Sequence, residues 1–264
     1  MAEIAFREAL RRTLREELLA DERVILMGED IGAYGGSYAA KIRYMSGGQL
    51  EAPMVIRMAS GAGSQLASQH SQSLEGWYAH IPGLKVAVPY TPYDARGLLK
   101  TAFHERDPVI FIEHTALYSR KGEVPDESYS IPFGEAEVIR SGGDVTLIGY
   151  SGSVHQAIGA AALLAEEGHE AEVLNLRTLR PLDVETILAS VRKTHRAVIV
   201  EDDWKFGGFA GEIAAIIMEE AFDDLDGPVA RVCGADVPMP YAAELEKAAL
   251  PNERQIADAA LGLM

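Results

Sequence analysis

Ser60 to Leu99, SGAGSQLASQHSQSLEGWYAHIPGLKVAVPYTPYDARGLL, carries a glycine-rich loop, a histidine among polar residues and a Thr-Pro-x-Asp helix start. The apolar run Pro53 to Arg57 precedes Gly61 and Gly63. The chain is therefore expected to leave a strand into a turn whose conformations need glycine. Thr91 reads as the N-cap of a helix with Pro92 at its first position. His70 lies between Gln69 and Ser71, Gln72 and Ser73, where loop turns into helix. That setting suits a proton donor or a fixed cation, and equally a surface or core histidine held by its neighbours.

Working outward, Phe6, Leu10, Leu14 and Leu18 recur every four positions and predict an opening helix. Val24 to Met27 reads as a buried strand that runs into Gly28-Glu29-Asp30. In a parallel sheet the ligand crevice lies beyond the carboxyl ends of the strands, so these acids are site candidates. Simple turn chemistry explains them as well. Further strands are expected at Met54 to Met58, Lys85 to Val88 and Val109 to Glu113. The polar, turn-rich stretch around Pro125, Pro132 and Gly142-Gly143 divides the chain into domains 1–127 and 128–264. After it, strand-like Val145 to Ile148, Ala171 to Asn175, Ala197 to Val200 and Val229 to Val232 alternate with helical stretches 154–167, 184–194 and 209–222. The regular alternation reads as a complete parallel α/β domain.

Composition narrows the function. The 264 residues are 48% hydrophobic and 24% charged, which suits folded domains rather than disorder. A net charge of −16 argues against a nucleic-acid partner and favours a basic protein one. No signal-like or membrane-spanning apolar run is present, so the expected location is cytoplasmic with no membrane partner. Cys233 is the sole cysteine, which excludes an intrachain disulfide and a cysteine-rich metal site. It ends the run Val229 to Cys233 and reads as a small buried residue. No metal ligands are assigned to this chain.

Two motifs mislead. Gly61-Ala-Gly63 resembles a dinucleotide fingerprint, but Leu66 stands where the third glycine belongs and no acid follows about twenty residues on. Gly149-Tyr-Ser151-Gly-Ser153 resembles a hydrolase elbow, but Ser153 replaces its last glycine and no histidine follows His195. Ser151 and Ser153 read instead as helix caps. The acids Glu219, Glu220, Asp223, Asp224 and Asp226 crowd a helix end, where they oppose the helix dipole. A solvated loop or a docking surface accounts for them.

SQHSQSLEGWYAHIPGLKVAVPYTPYDARGLLKTAFHERDPVIFIEH, VLNLRTLRPLD, KTHRAVIVEDDWKFGGF and GADVPMPYAAELEKAALP together resemble, in colinear order, the β subunits of thiamin-diphosphate-dependent 2-oxo acid dehydrogenase components, that of pyruvate dehydrogenase above all. The resemblance implies a pyrimidine-binding, transketolase-like α/β domain over 1–127 and a transketolase C-terminal-like α/β domain over 128–264. It also implies oxidative decarboxylation of pyruvate with reductive acetylation of lipoyl groups, the acetoin and branched-chain 2-oxo acid enzymes being alternatives. The implied assembly is an α2β2 heterotetramer with an α subunit, sharing thiamin diphosphate and Mg2+. By resemblance His70 lines the active-site channel with Ser71 and Gln72 as supports, and Glu29 helps pass protons between active sites. Leu225 to Val229 resembles the place where a dihydrolipoyl acyltransferase core docks, which implicates Asp226 and the nearby C-terminal Met264.

After Tyr38 the family pattern is interrupted. Segments amounting to more than one strand-helix-strand unit, of roughly 30 residues each, are missing before Ala39 to Met45. The glutamate that activates the thiamin ring belongs to that stretch in the family pattern. The first domain is therefore expected to be internally shortened and to rely on partners to cover its apolar faces. A non-catalytic assembly or docking module, or a truncated copy of the catalytic subunit, is the alternative reading.

Overall fold

The computed structural model describes residues 2–24 and 33–264. The first part runs β1 (Ala2–Ala5), α1 (Phe6–Ala20), α2 (Ala33–Met45), β2 (Val55–Ser60), α3 (Ala67–His70), α4 (Glu75–Ala79), β3 (Lys85–Ala87), α5 (Pro92–Phe103), β4 (Val109–His114) and β5 (Lys121–Val124). The second runs β6 (Glu137–Arg140), β7 (Val145–Gly149), α6 (Ser153–Glu166), β8 (Ala171–Asn175), β9 (Thr178–Arg180) and α7 (Val184–Thr194). It closes with β10 (Ala197–Trp204), α8 (Ala210–Glu220), β11 (Ala230–Gly234), α9 (Ala243–Ala249) and α10 (Glu253–Leu261).

Two main sheets result. In the first, ordered β2-β4-β3-β9, β2 and β3 both run parallel to β4, and β9 lies antiparallel against β3. In the second, ordered β11-β10-β7-β8-β6, all neighbours are parallel except the edge pair β6 and β8. The second layer is thus mixed rather than purely parallel. Residues Ala2–Ala5, ahead of the expected helix, pair antiparallel with β5. Short β9 comes from the second half of the chain but completes the first sheet, so the halves are not separate layers.

The cores explain why. Alternate residues of a strand face opposite sides of its sheet. Val109 and Phe111 of β4, Val145 and Leu147 of β7, and Val198 and Val200 of β10 share one apolar cluster. Their neighbours Ile110 and Ile112, Ile148, and Ala197 and Ile199 share the other. Each cluster therefore takes side chains from both sheets and from both halves of the chain. The second half covers part of the first half's apolar surface, while Tyr44, Met45, Leu50, Leu66 and Trp77 of the first half stay exposed.

Local signals mostly hold. Thr91 caps α5 in a full capping box, its hydroxyl accepting from Asp94 N while Asp94 accepts from Thr91 N. In α1, Phe6 and Leu10 are buried, Leu14 is half-buried and Leu18 is exposed, so the apolar stripe fades toward the helix end. Val24 is not in a strand, and the remainder of the expected strand with Gly28-Glu29-Asp30 lies outside the described residues. Ser151 and Ser153 do not cap α6, because Gly152 holds that position without a side-chain bond. Ser153 Oγ instead bonds the amide and carbonyl of Tyr150, and Ser151 adopts φ +50° with its hydroxyl buried. Cys233 is half-buried rather than buried. Burial, with Glu201 adding to it, pushes its thiol up to about 12, so it is no nucleophile.

Candidate functional site

The loop after β2 is fixed at its base by its own backbone. Gly61 N donates to the carbonyl of Gln72 at 3.1 Å, and Ser60 Oγ lies 3.2 Å from the same oxygen. Gly61 adopts φ +85°, and a Cβ there would sit 2.2 Å from His114 Nε2, so conformation and space both demand glycine. Gly63 at +97°, Gln65 at +54° and Ala67 at +61° continue the left-handed turns into α3. His70 closes that single turn with its side chain exposed. Gln72 is also exposed and donates to Ser68 O at 2.9 Å. Ser71 is buried, its hydroxyl without a partner among the described residues. His70 and Gln72 thus face solvent on one loop while Ser71 packs beneath them.

Below the loop, at the carboxyl ends of β2, β4 and β10, lies a buried acidic cluster. Ser60 Oγ donates to Glu75 Oε1 at 2.6 Å, and Glu75 Oε2 has no partner among the described residues. His114 Nε2 meets Asp202 Oδ2 at 2.9 Å, its ring wedged between Gly61 and Gly152, where an added Cβ would come within 2.6 Å of the imidazole. Tyr150 Oη and Ala210 N both donate to Glu201 Oε2, at 3.0 and 2.9 Å. Burial pushes Glu75 up to about 7 against the opposing bond from Ser60. It does the same to Glu201, up to about 7, and to Asp203, up to about 6. At His114 burial pulls the imidazolium down, but the bond and charge of Asp202 outweigh it and the net change is upward.

The upward shifts bring the carboxyls of Glu75, Glu201 and Asp203 toward neutral pH, a property that often marks functional sites. Sequence reasoning passed over them, although Glu201-Asp202-Asp203 ends the apolar run Ala197 to Val200 and acids at a strand's carboxyl end are a usable signal. Glu75 gives no such signal, because it lies in a short helix and is buried only by the tertiary packing. The strand ends are filled by Ser60, Gly61, Ala62, Glu75 and His114, all buried. Glu29 lies outside the described residues.

Among the described residues no group of three or more His, Cys, Asp or Glu side chains is arranged to hold a metal ion. Nor is any helix there long and apolar enough to cross a membrane. Two cavities lie along the join between the halves. One, about 490 Å³, is bordered by Tyr93, Pro132, Glu137 and Arg177. The other, about 610 Å³, is bordered by His80, Arg180, Phe209, Glu212 and Arg231. His70 borders neither.

Asp226 is tied to Leu263, the neighbour of Met264, through a residue that the sequence did not flag. Arg196 bonds the Asp226 carboxylate at 2.8 Å and donates to the Leu263 carbonyl at 2.9 Å. Asp226 and the C-terminal Met264 are both exposed on that face. Nearby, Arg192 reaches Asp224 at 3.2 Å and the Glu220 carbonyl at 2.9 Å, so the acidic run is partly paired.

Comparison with known proteins agrees with this architecture. The family model described as transketolase, pyrimidine binding domain matches residues 36–121, and that of the transketolase C-terminal domain matches 134–256. A split-gene transketolase solved as an inactive β4 tetramer superposes with a TM-score of 0.74 at 21% identity, covering 98% of each chain, which establishes the fold. The pyruvate dehydrogenase E1 component subunit beta of Rickettsia felis is 39% identical, the match taking in 97% of each chain. The mitochondrial subunit beta-2 of rice is 41% identical over 98% of this chain and 85% of its own. The Rhizobium meliloti subunit is 40% identical over 98% of this chain and 69% of its own. The Rickettsia alignment runs over 316 positions, more than the 264 residues here, so the relative has internal positions with no counterpart in this chain. With its two transketolase-type layers and this likeness along nearly its whole length, the chain belongs to the family of pyruvate dehydrogenase E1 component β subunits.

Proposed function

We propose that this chain serves as the β subunit of the decarboxylating component of a pyruvate dehydrogenase complex, in an α2β2 heterotetramer with an α subunit, in the cytoplasm. The observation that carries this reading is the match to E1 β subunits over nearly the whole chain, with the His70 loop inside it. Thiamin diphosphate and Mg2+ supply the decarboxylation chemistry, held at the junction with the α subunit. In the overall reaction the C1–C2 bond of pyruvate breaks and CO2 leaves. The bond's electron pair reduces a lipoyl disulfide, one sulfur taking the acetyl group and the other a proton. His70, exposed on a loop with a fixed base, is suited to donate that proton or to orient the lipoyl group, with Gln72 beside it and Ser71 beneath. Glu29 is assigned to proton transfer between active sites.

The test combines the full chain with its α partner, thiamin diphosphate, Mg2+ and a lipoyl domain. CO2 release and acetyl-lipoyl formation at an enzyme-like rate are expected. His70→Ala is expected to lower acetyl-lipoyl formation roughly 100-fold. Unchanged acetylation in that variant removes the channel role.

A second reading has its own support. The internal positions lacking here suit an assembly module without catalysis. A complex that assembles but releases no CO2 selects it.

Both readings place the acyltransferase core at the Asp226, Arg196 and Met264 face. Acidic charge opposite a basic domain gives fast, salt-sensitive association. Asp226→Arg is therefore expected to weaken binding of the acyltransferase's binding domain at low salt by roughly tenfold or more. Equal affinities in a titration of the two proteins would remove the docking assignment.

A further inference from the structure

One carboxylate reaches the His70 loop from nearly two hundred residues away. Glu246 of α9 is buried, although the loop residues Gly63 to Leu66 that it meets are exposed. Gly63 N donates to Glu246 Oε1 at 3.0 Å, and Gln65 N donates to Oε1 and Oε2 at 3.2 and 3.1 Å. The left-handed backbone at Gly63 and Gln65 turns both N–H groups toward one point, the arrangement by which backbone nests hold anions. Here the anion is part of the chain.

The far end of this contact is anchored in the second sheet. Ala235 N, just past β11, donates to Ala249 O at the end of α9 at 2.9 Å. Trp204 at the end of β10 donates its indole N–H to Val237 O at 3.0 Å. The segment leading into α9 is thereby held against the carboxyl ends of β10 and β11. The loop's base is held at Gln72, its tip by Glu246.

We infer that Glu246 is a positioning residue that sets the conformation of the Gly61–Gln72 loop and, through it, the presentation of His70. The proposal rests on the reading of this loop as the lipoyl-facing one. Glu246 touches no reacting group. Its effect on the reaction passes entirely through the loop backbone, so it alters capture of the lipoyl domain more than turnover.

Amide hydrogen exchange on the full chain reads the clamp whether or not the chain is active. A backbone N–H bonded to a charged acceptor is held strongly enough that Glu246→Ala is expected to speed exchange at Gly63 and Gln65 roughly tenfold or more. Amides of β4 keep their wild-type rates. Glu246→Gln retains a carbonyl acceptor and is expected to fall between, which also covers the case of an Ala variant that folds poorly. Glu244→Ala, which removes an exposed charge from the same helix, is expected to leave the loop amides unchanged. In the assembled complex Glu246→Ala is expected to raise KM for the lipoyl domain roughly tenfold while kcat falls by less than about twofold.

Wild-type exchange rates at Gly63 and Gln65 in both Glu246 variants overturn the proposal, whatever the activity. Faster exchange spread through β4 also overturns it, because Glu246 is then a general fold contact. Fast loop exchange with an unchanged KM overturns the link to His70. A wild-type complex that forms no acetyl-lipoyl defeats the function proposed above, and the exchange measurement still decides the clamp.

Discussion

Asp94→Ala is expected to destabilise the chain by about 3–5 kcal/mol, the cost of leaving buried polar partners without their carboxylate. Asp94 is fully buried. Its Oδ1 accepts from Arg177 Nε at 2.8 Å, and its Oδ2 from Asn175 Nδ2 at 2.9 Å and from Thr91 N at 3.1 Å. One side chain therefore caps α5 in the first half and ties down the β8–β9 turn of the second. That turn needs holding, because Arg177 adopts φ +58°, an uncommon conformation for a residue with a side chain. Removal strands a mostly buried guanidinium, a buried amide and a helix end together; Glu137, at 2.9 Å from Arg177, compensates only in part. Urea unfolding of the variant and wild type at one pH measures the effect. A loss below about 1 kcal/mol would mean that Glu137 and water replace Asp94, and that the seam does not depend on it.

Glu75→Gln is expected to stabilise the chain at pH 8 and to make little difference at pH 5. The folded-state carboxyl lies at about 7, above its ordinary 4.5, because burial disfavours the charge. Between those values the folded chain keeps a proton that the unfolded chain has released. Wild-type stability from this group therefore falls as pH rises from 4.5 toward 7 and levels off above. Glutamine accepts from Ser60 as the carboxyl does but carries no titrating proton. The difference is expected to reach on the order of 2–3 kcal/mol at pH 8.

The groups facing Glu75 are Ser60 from β2, His114 from β4, Tyr150 just after β7 and Asp203 from β10. Asp203 and the Glu201 behind it are raised in the same sense and steepen the wild-type curve. His114, raised by Asp202, adds a contribution that is present at low pH and lost as pH rises through its folded value. Denaturation curves at several pH values test the assignment. Parallel curves for the variant and wild type, or a variant weaker at pH 8, would show that Glu75 is ionised without strain.

Much of the architecture was legible in the chain itself, because it depends on short-range rules. Apolar runs bounded by turn residues gave β7, β8, β10 and β11 of the second half to within a few residues but missed β6 and β9, and Thr91-Pro92 gave the start of α5. Gly61 and Gly63 announced a left-handed loop, which the backbone adopts. The colinear motifs gave the family, and the same reading pointed to the internal shortening.

What the tertiary structure decided depends on residues far apart in the chain. Pairing of β9 with β3, and of Ala2–Ala5 with β5, follows from unpaired strand edges finding each other, which local periodicity does not encode. The shared core followed once two sheets could bury opposite faces together. Arg196 between Asp226 and Leu263, and Glu246 on the Gly63 and Gln65 amides, read as ordinary surface charges in sequence. The acid cluster is the sharpest case. Glu75 stands in an unremarkable position and Glu201 and Asp203 at a strand's carboxyl end, but only their joint removal from water, when the carboxyl ends of β2, β4 and β10 are packed together, moves their protons toward neutral pH. Desolvation is a property of everything that surrounds a group, and most of what surrounds these is distant in the chain.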